Sequence, residues 1–279
     1  MSPSGRLNPS GVVSLTTDFG LSDAYVAQLH AVILRLAPQA RIVDVSHEVP
    51  AGRAETALFL TESAWPQFGP GAVHVVVVDP GVGTDRRLVA IETEDAFLVG
   101  PDSGVLSSGL PDTMRSQPAS TPQPLPAGLR AIELSQSSVR EPVVAPTFHG
   151  RDVMAPVAAA LASGSDLASL GDPLTEVAAT AVLAATGLAG YVLHIDRFGN
   201  AITNFRGEGR STRTQIIATT GWRDEISISG LAESYGLAPP DRASLLTGSS
   251  GYLEIAWPNG DAAERLGLRV GDGVRLIEP

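Results

Sequence analysis

VVVVDPGVGTDRR, residues 75–87, decides how this chain is read. The four valines are β-branched and too few to cross a membrane, so they predict a buried strand. The strand ends on Asp79, runs into a Pro-Gly-x-Gly turn and delivers Arg86 and Arg87. Upstream the pattern is regular. VVSLTTDFG reads as a strand ending in a polar loop. SDAYVAQLHAVILRLAP reads as a helix with Ser22 as N-cap and an apolar stripe at Tyr25, Val26, Leu29, Ile33 and Leu36, stopped by Pro38. RIVDVS is a strand and GRAETALFLTESAW a second helix. Strand, helix, strand, helix, strand is the order of an α/β domain with a mainly parallel, Rossmann-like sheet.

Downstream the regularity breaks. RRLVAIETEDAFLVGPDSG reads as two short strands around TED, and residues 111–128 as an exposed Pro/Ser/Gln-rich loop. RAIEL is a strand. GRDVMAPVAAALASG is a helix that tolerates the early Pro156 and closes at Gly164. After a weakly patterned Ala/Thr-rich stretch come short β-type runs: YVLHID, AITNF, TQIIATT, EISIS, YLEIAW and GVRLIE, with one short helix near AAERLG. These predict an all-β C-terminal domain, a small barrel or a sandwich. The expected organisation is a disordered tail over 1–10, an N-terminal α/β domain over 11–173, a linker over 174–189 and the all-β domain over 190–279.

Composition narrows the chemistry. The chain has 279 residues, 43% of them hydrophobic, and a formal net charge of −11. That balance argues against nucleic acid or an anionic membrane as the main partner. With no cysteine, disulfides, Cys-ligated zinc and a thiol nucleophile are excluded. All 19 basic residues are arginine, so no Schiff-base, P-loop or general-base lysine exists. The polar start MSPSGRLNPSG lacks the apolar segment of a signal peptide. A cytoplasmic protein is expected.

The turn after the valines is the centre of interest. DPGVGTD resembles a methyltransferase glycine loop, but Asp85 stands where the third glycine would, and a strand rather than a helix follows. Gly81 and Gly83 answer to a tight turn. An aspartate at a strand end in an α/β sheet points into the crevice where such folds bind ligands. Asp18 in TTDFG stands at another strand end, as a ribose-hydroxyl acceptor or an Asx-turn. His149 in TFHGRD precedes a helix, as a cap or a functional imidazole. Arg151 and Asp152 read as a structural ion pair. The five histidines are scattered and no HExxH motif occurs, so no metal is expected. HIDRFGN and SSGYLEIAWPNGDAA each fit a plain turn or a small-molecule contact.

Taken in order, TTDFG, DPGVGTDRR, GPDSG, TFHGRD, IDRFGN and SSGYLEIAWPNGDAA resemble the S-adenosylmethionine hydroxide adenosyltransferase family, relatives of the fluorinase and chlorinase enzymes. The resemblance runs from about Val12 to about Ile277. It implies an α/β domain and a β-barrel, and a homotrimer with active sites between the first domain of one subunit and the second of its neighbour. It also implies hydrolysis of S-adenosylmethionine to adenosine and methionine with no cofactor, the R-sulfonium epimer being the substrate of some members. The family's water-activating set falls on Asp79, Arg86 and His149. Substrate contacts fall on Asp18, Asp196, Phe198, Asn200, Ser249, Ser250, Tyr252, Glu254 and Trp257. Ser250 stands where the fluorinase has an arginine, and Asp196 to Phe198 is one residue shorter than in that enzyme. A halogenase of the same fold and a non-catalytic S-adenosylmethionine or adenosine binder are the alternatives. The retained Asp79 disfavours a halide beside it.

Overall fold

A computed structural model describes residues 7–115, 117, 119–134, 139–220 and 224–277. Residues 1–6 of the expected tail lie outside these, as do residues 116 and 118 of the 111–128 loop. The chain divides into two compact units, Met1–Ala181 and Val182–Pro279.

The first unit opens with β1 (Val12–Thr17), α1 (Tyr25–Leu36), β2 (Arg41–Ser46), α2 (Ala54–Ala64) and β3 (Ala72–Val77). Then come β4 (Leu88–Glu92), β5 (Ala96–Pro101), β6 (Thr121–Pro124), β7 (Arg130–Glu133), α3 (Ala155–Ala162), β8 (Asp172–Leu174) and β9 (Glu176–Ala179). The seven-stranded sheet has the order β2-β1-β3-β5-β4-β7-β8, and β6 pairs with β9 separately. Every residue of β3 is buried. Its alternate side chains serve two cores. Val73, Val75 and Val77 pack with Leu29 and Ile33 of α1 and Val157 and Leu161 of α3, while Val76 packs with Ala57 of α2. A strand covered on both faces needs no polar alternation, which is why the valines run unbroken.

The sheet is mixed rather than mainly parallel. Strands β2, β1, β3 and β5 pair parallel, but β4, β7 and β8 extend the sheet antiparallel. For β4 and β5 the cause is the short link at Thr93–Asp95. Thr93 accepts from the Ala96 N–H and closes a hairpin. So short a connection permits only antiparallel pairing. Ser22 is not the cap of α1: the helix begins at Tyr25 with no side-chain cap, and the Ser22 hydroxyl lies 3.5 Å from Asp23. Of the predicted stripe, Val26, Leu29 and Ile33 are buried, while Tyr25 and Leu36 are exposed. The 111–128 segment carries β6, and strands β8 and β9 occupy 172–179.

The second unit contains β10 (Ala189–Ile195), β11 (Ala201–Arg206), β12 (Gln215–Thr219), β13 (Glu225–Ser229), β14 (Leu231–Ala232), β15 (Ser244–Thr247), β16 (Tyr252–Ala256), α4 (Ala262–Leu266) and β17 (Gly273–Ile277). Eight strands in the order β13-β12-β17-β10-β11-β16-β15-β14 form one sheet. It curls until β13 approaches β15, giving a nearly closed, barrel-like sheet. Val192, Phe205, Ile216, Leu253, Ile255 and Leu276 fill its interior. Among the described residues, no helix is long and apolar enough to cross a membrane.

Candidate active site

Strands β1 and β3 are parallel neighbours with Thr17 opposite Val77. Their next residues therefore leave the sheet at the same, carboxyl edge, where open α/β sheets hold ligands. Asp18 follows β1, and its Oδ2 accepts from the Gly52 N–H at 2.9 Å. Gly52 lies against Pro80, since a Cβ there would sit 3.6 Å from the Pro80 Cβ. Asp18 is thus held near the turn that carries Asp79.

That turn is built from its own backbone. The Val82 N–H donates to Asp79 O, and the Thr84 N–H and hydroxyl both donate to Gly81 O, the hydroxyl at 2.7 Å. Gly83 has φ +81°, and a Cβ at Gly81 would fall 2.9 Å from the Arg86 Cδ. Glycine is required at the first for backbone reasons and at the second to let Arg86 fold back.

The two arginines part company. Arg87 Nε donates to Oδ2 of the buried Asp102 at 2.8 Å, and Asp102 Oδ1 accepts from the Ala178 N–H at 2.6 Å, a structural tie. Arg86 turns the other way. Its Nε donates to Asp79 Oδ1 at 2.8 Å and Oδ2 at 3.0 Å, and its Nη2 to Oδ2 as well. The same Nη2 reaches His149 Nδ1 at 3.0 Å. One guanidinium thus joins the three residues that the sequence separates by up to 70 positions, and both members of the ion pair are largely buried, at 14% and 7% exposure.

The protonation of His149 follows from its partner. Arginine can only donate, so Nδ1 must be the acceptor and the neutral ring carries its proton on Nε2. Burial pushes the His149 pKa below its ordinary 6.5, and the Arg86 charge lowers it further against the opposing pull of Asp79 and Asp152. The ring sits at the head of a five-residue π turn, Gly150–Met154. A Cβ at Gly150 would meet Val77 Cγ1 at 2.7 Å, so this glycine lets the turn press onto β3. Asp152 anchors the turn, accepting from Ala145 N at 2.8 Å and from Arg151 Nε at 2.7 Å, while Arg151 Nη1 donates to Gln28 of α1. Burial opposes ionisation of Asp152, but the Arg151 and Ala145 hydrogen bonds outweigh it and lower its pKa. The Arg151–Asp152 pair is structural, as the sequence suggested.

In the second unit, Asp196 closes the β10–β11 hairpin. Its Oδ1 accepts the N–H groups of Phe198 and Asn200, each at 2.9 Å, and its Oδ2 accepts from Asn200 Nδ2 at 2.9 Å. Phe198 is left exposed. Asn200 also donates to the Tyr235 hydroxyl at 3.3 Å, and that hydroxyl donates to Glu254. Glu254 is buried, which raises its pKa; the Tyr235 hydrogen bond lowers it and the Asp196 charge raises it. Ser249 and Ser250 lie in a turn in which the Gly251 N–H donates to Gly248 O. This turn rests on Glu254, since a Cβ at Gly248 would fall 2.4 Å from Oε2. Tyr252 is fully buried beneath the Arg206 guanidinium, 3.9 Å from its ring. Trp257 is covered by Arg265. Tyr235 was missed by sequence reading, because LAESYGL carries no motif and its link to Glu254 spans 19 residues.

The family profiles described as SAM hydroxide adenosyltransferase N-terminal domain and C-terminal domain match residues 13–171 and 190–275. The chain belongs to the SAM hydroxide adenosyltransferase family. It is 36% identical to an (R)-S-adenosyl-L-methionine hydrolase of Salinispora tropica, over 96% of this chain and 98% of the relative. It is equally identical, at 36%, to the Thermus thermophilus protein of that name, over 95% and 99%. A fluorinase of Nocardia brasiliensis is 25% identical over 95% and 96%. Among solved structures, an uncharacterised conserved protein from Thermotoga maritima superposes with a TM-score of 0.80 at 30% identity, over 95% of this chain and all of that one.

Proposed function

We propose that this member of the family hydrolyses S-adenosyl-L-methionine, in its R-sulfonium form, to adenosine and L-methionine. The observation that carries the mechanism is the Arg86 fork, which fixes Asp79 and the Nε2–H tautomer of His149 together. A water between them donates to the Asp79 carboxylate and accepts from His149 Nε2–H. Its remaining lone pair is aimed by the two partners, and its hydroxide character rises as Asp79 draws off a proton. The oxygen attacks C5′ of the ribose in line with the C5′–S bond. That bond breaks, its electron pair goes to sulfur, and methionine leaves as a neutral thioether. The leaving group needs no acid, which suits a site whose histidine stays neutral. Asp18 takes ribose hydroxyls.

The same reading assigns Asp196, Phe198, Asn200, Ser249, Ser250, Tyr252, Glu254 and Trp257 to the methionine and adenine moieties. It makes the working form a homotrimer with active sites shared between subunits, acting in the cytoplasm without a cofactor. Light scattering on the eluting protein tests the trimer. The family-level support is the shared name of the hydrolase relatives.

The test is a product assay on both sulfonium epimers in oxygen-18-labelled water with chloride present. Labelled adenosine plus methionine, with the S epimer left over, is the expected result. A 5′-chloro nucleoside, or tight binding without product, overturns the proposal.

A further inference from the structure

The fold gathers two of the scattered histidines and one carboxylate at the edge of the first sheet. His30 is on α1, Asp44 on the edge strand β2, and His47 one residue beyond that strand. His30 Nε2 is hydrogen-bonded to Asp44 Oδ1 at 2.9 Å, and His47 Nε2 lies 3.1 Å from the same oxygen. One donor atom from each residue falls within 4.8 Å of the others. The approach of His47 lacks hydrogen-bond direction, so among the described residues its Nε2 is a buried nitrogen without a hydrogen-bond partner, on a side chain only 4% exposed. Such an orphan needs a reason. On the other side of the ring, His47 Nδ1 is bonded to the Thr17 hydroxyl at 2.9 Å, which fixes the ring's orientation.

We propose that His30, Asp44 and His47 form a binding site for a divalent transition metal of the zinc class. Two imidazoles and a carboxylate suit zinc, cobalt or nickel rather than calcium or magnesium, which favour all-oxygen shells. The two nitrogen–oxygen separations are close to the edge of a tetrahedral zinc shell, about 3.3 Å for bonds of about 2.0 Å. His30 and Asp44 are about one-third exposed, so the fourth position opens to water. The Thr17–His47 contact is the outer-shell bond that metal-bound histidines ordinarily make.

Bound metal would clamp α1 to the end of β2. It would also steady the loop after β1, because His47 O accepts from the Gly20 N–H at 2.7 Å and the Val49 N–H donates to Thr17 O. That loop carries Asp18, yet the clamp uses none of Asp79, Arg86 or His149. The proposal stands independently of the hydrolase reading.

Chelator-stripped full-length protein titrated with zinc chloride in a calorimeter should bind one equivalent, with a rise in thermal midpoint. Cobalt should give the visible absorption of a low-symmetry four- or five-coordinate site. His30→Ala removes one half-exposed contact between α1 and Asp44 and should lower the metal-free midpoint only slightly, while abolishing both signals. Thr17→Val should weaken zinc binding by about 10- to 100-fold. Wild-type protein that binds no zinc or cobalt, or His30→Ala protein that binds them as well as wild type, overturns the site.

Discussion

Replacing Arg86 by lysine keeps the positive charge and removes the fork. In the native site Nε spans both Asp79 oxygens, while Nη2 serves Asp79 Oδ2 and His149 Nδ1. A lysine Nζ can meet Asp79 as a point charge, but it cannot hold both partners in one plane. The His149 contact and one arm on Asp79 are lost. Hydrogen bonds to charged groups contribute about 1.5–3 kcal/mol each. Both residues are too buried for solvent to screen the loss strongly. A loss of about 2–4 kcal/mol in the transition state corresponds to about 30- to 900-fold in kcat. Unfolding free energy should fall by only about 1–3 kcal/mol, because the ion pair itself persists. Steady-state kinetics on the R epimer, followed as adenosine formed, gives kcat and KM; urea unfolding gives the stability. An Arg86→Lys protein with wild-type kcat would refute the fork as the organising element. So would a loss of rate explained wholly by unfolded protein.

Asp79→Asn should lower kcat about 100- to 10,000-fold with KM little changed, as loss of a proton acceptor does; an active Asn variant would remove Asp79 from that role. Protonating His149 destroys the acceptor that Arg86 uses, so kcat should fall on the acid side with a midpoint below 6.5, and Asp152→Asn, which deletes a charge that raises this pKa, should move the midpoint lower still. His74 is buried against Trp65 and bonded to Ser14, and burial depresses its pKa from 6.5 to about 4. Between those values the unfolded chain holds the extra proton, so the His74 contribution is complete above pH 6.5 and declines by up to about 3 kcal/mol as pH falls to about 4; urea unfolding across pH should show this slope, and His74→Gln should lose it. Gly150→Ala places a methyl 2.7 Å from Val77 Cγ1 and should cost about 1–3 kcal/mol along with much of the activity. Val77→Ala in the same chain should recover part of both, and strict additivity in the double-mutant cycle would show that the contact is not the cause.

Much of the molecule was legible in the sequence. The β-branched run at 75–78, the apolar stripe at Val26, Leu29 and Ile33, and the Gly81 and Gly83 turn are local patterns, and local patterns set local conformation. The strand ends that carry Asp18 and Asp79 followed from them, and so did the break into short β runs after residue 189. The Thr93–Asp95 link also carried its meaning locally: a turn so short forces an antiparallel hairpin, even inside a sheet that begins parallel.

Tertiary structure decided the rest. Nothing in the dipeptide Arg86–Arg87 says that one guanidinium turns toward Asp79 and His149 while the other pairs with Asp102, whose second oxygen holds β9. Which way each points depends on where a π turn 63 residues on is pressed against β3. Tyr235 beside Glu254, and His47 beside His30 and Asp44, are likewise products of chain folding back on itself. Periodicity is a property of neighbours in sequence. A constellation of functional groups is a property of neighbours in space, and only packing brings those together.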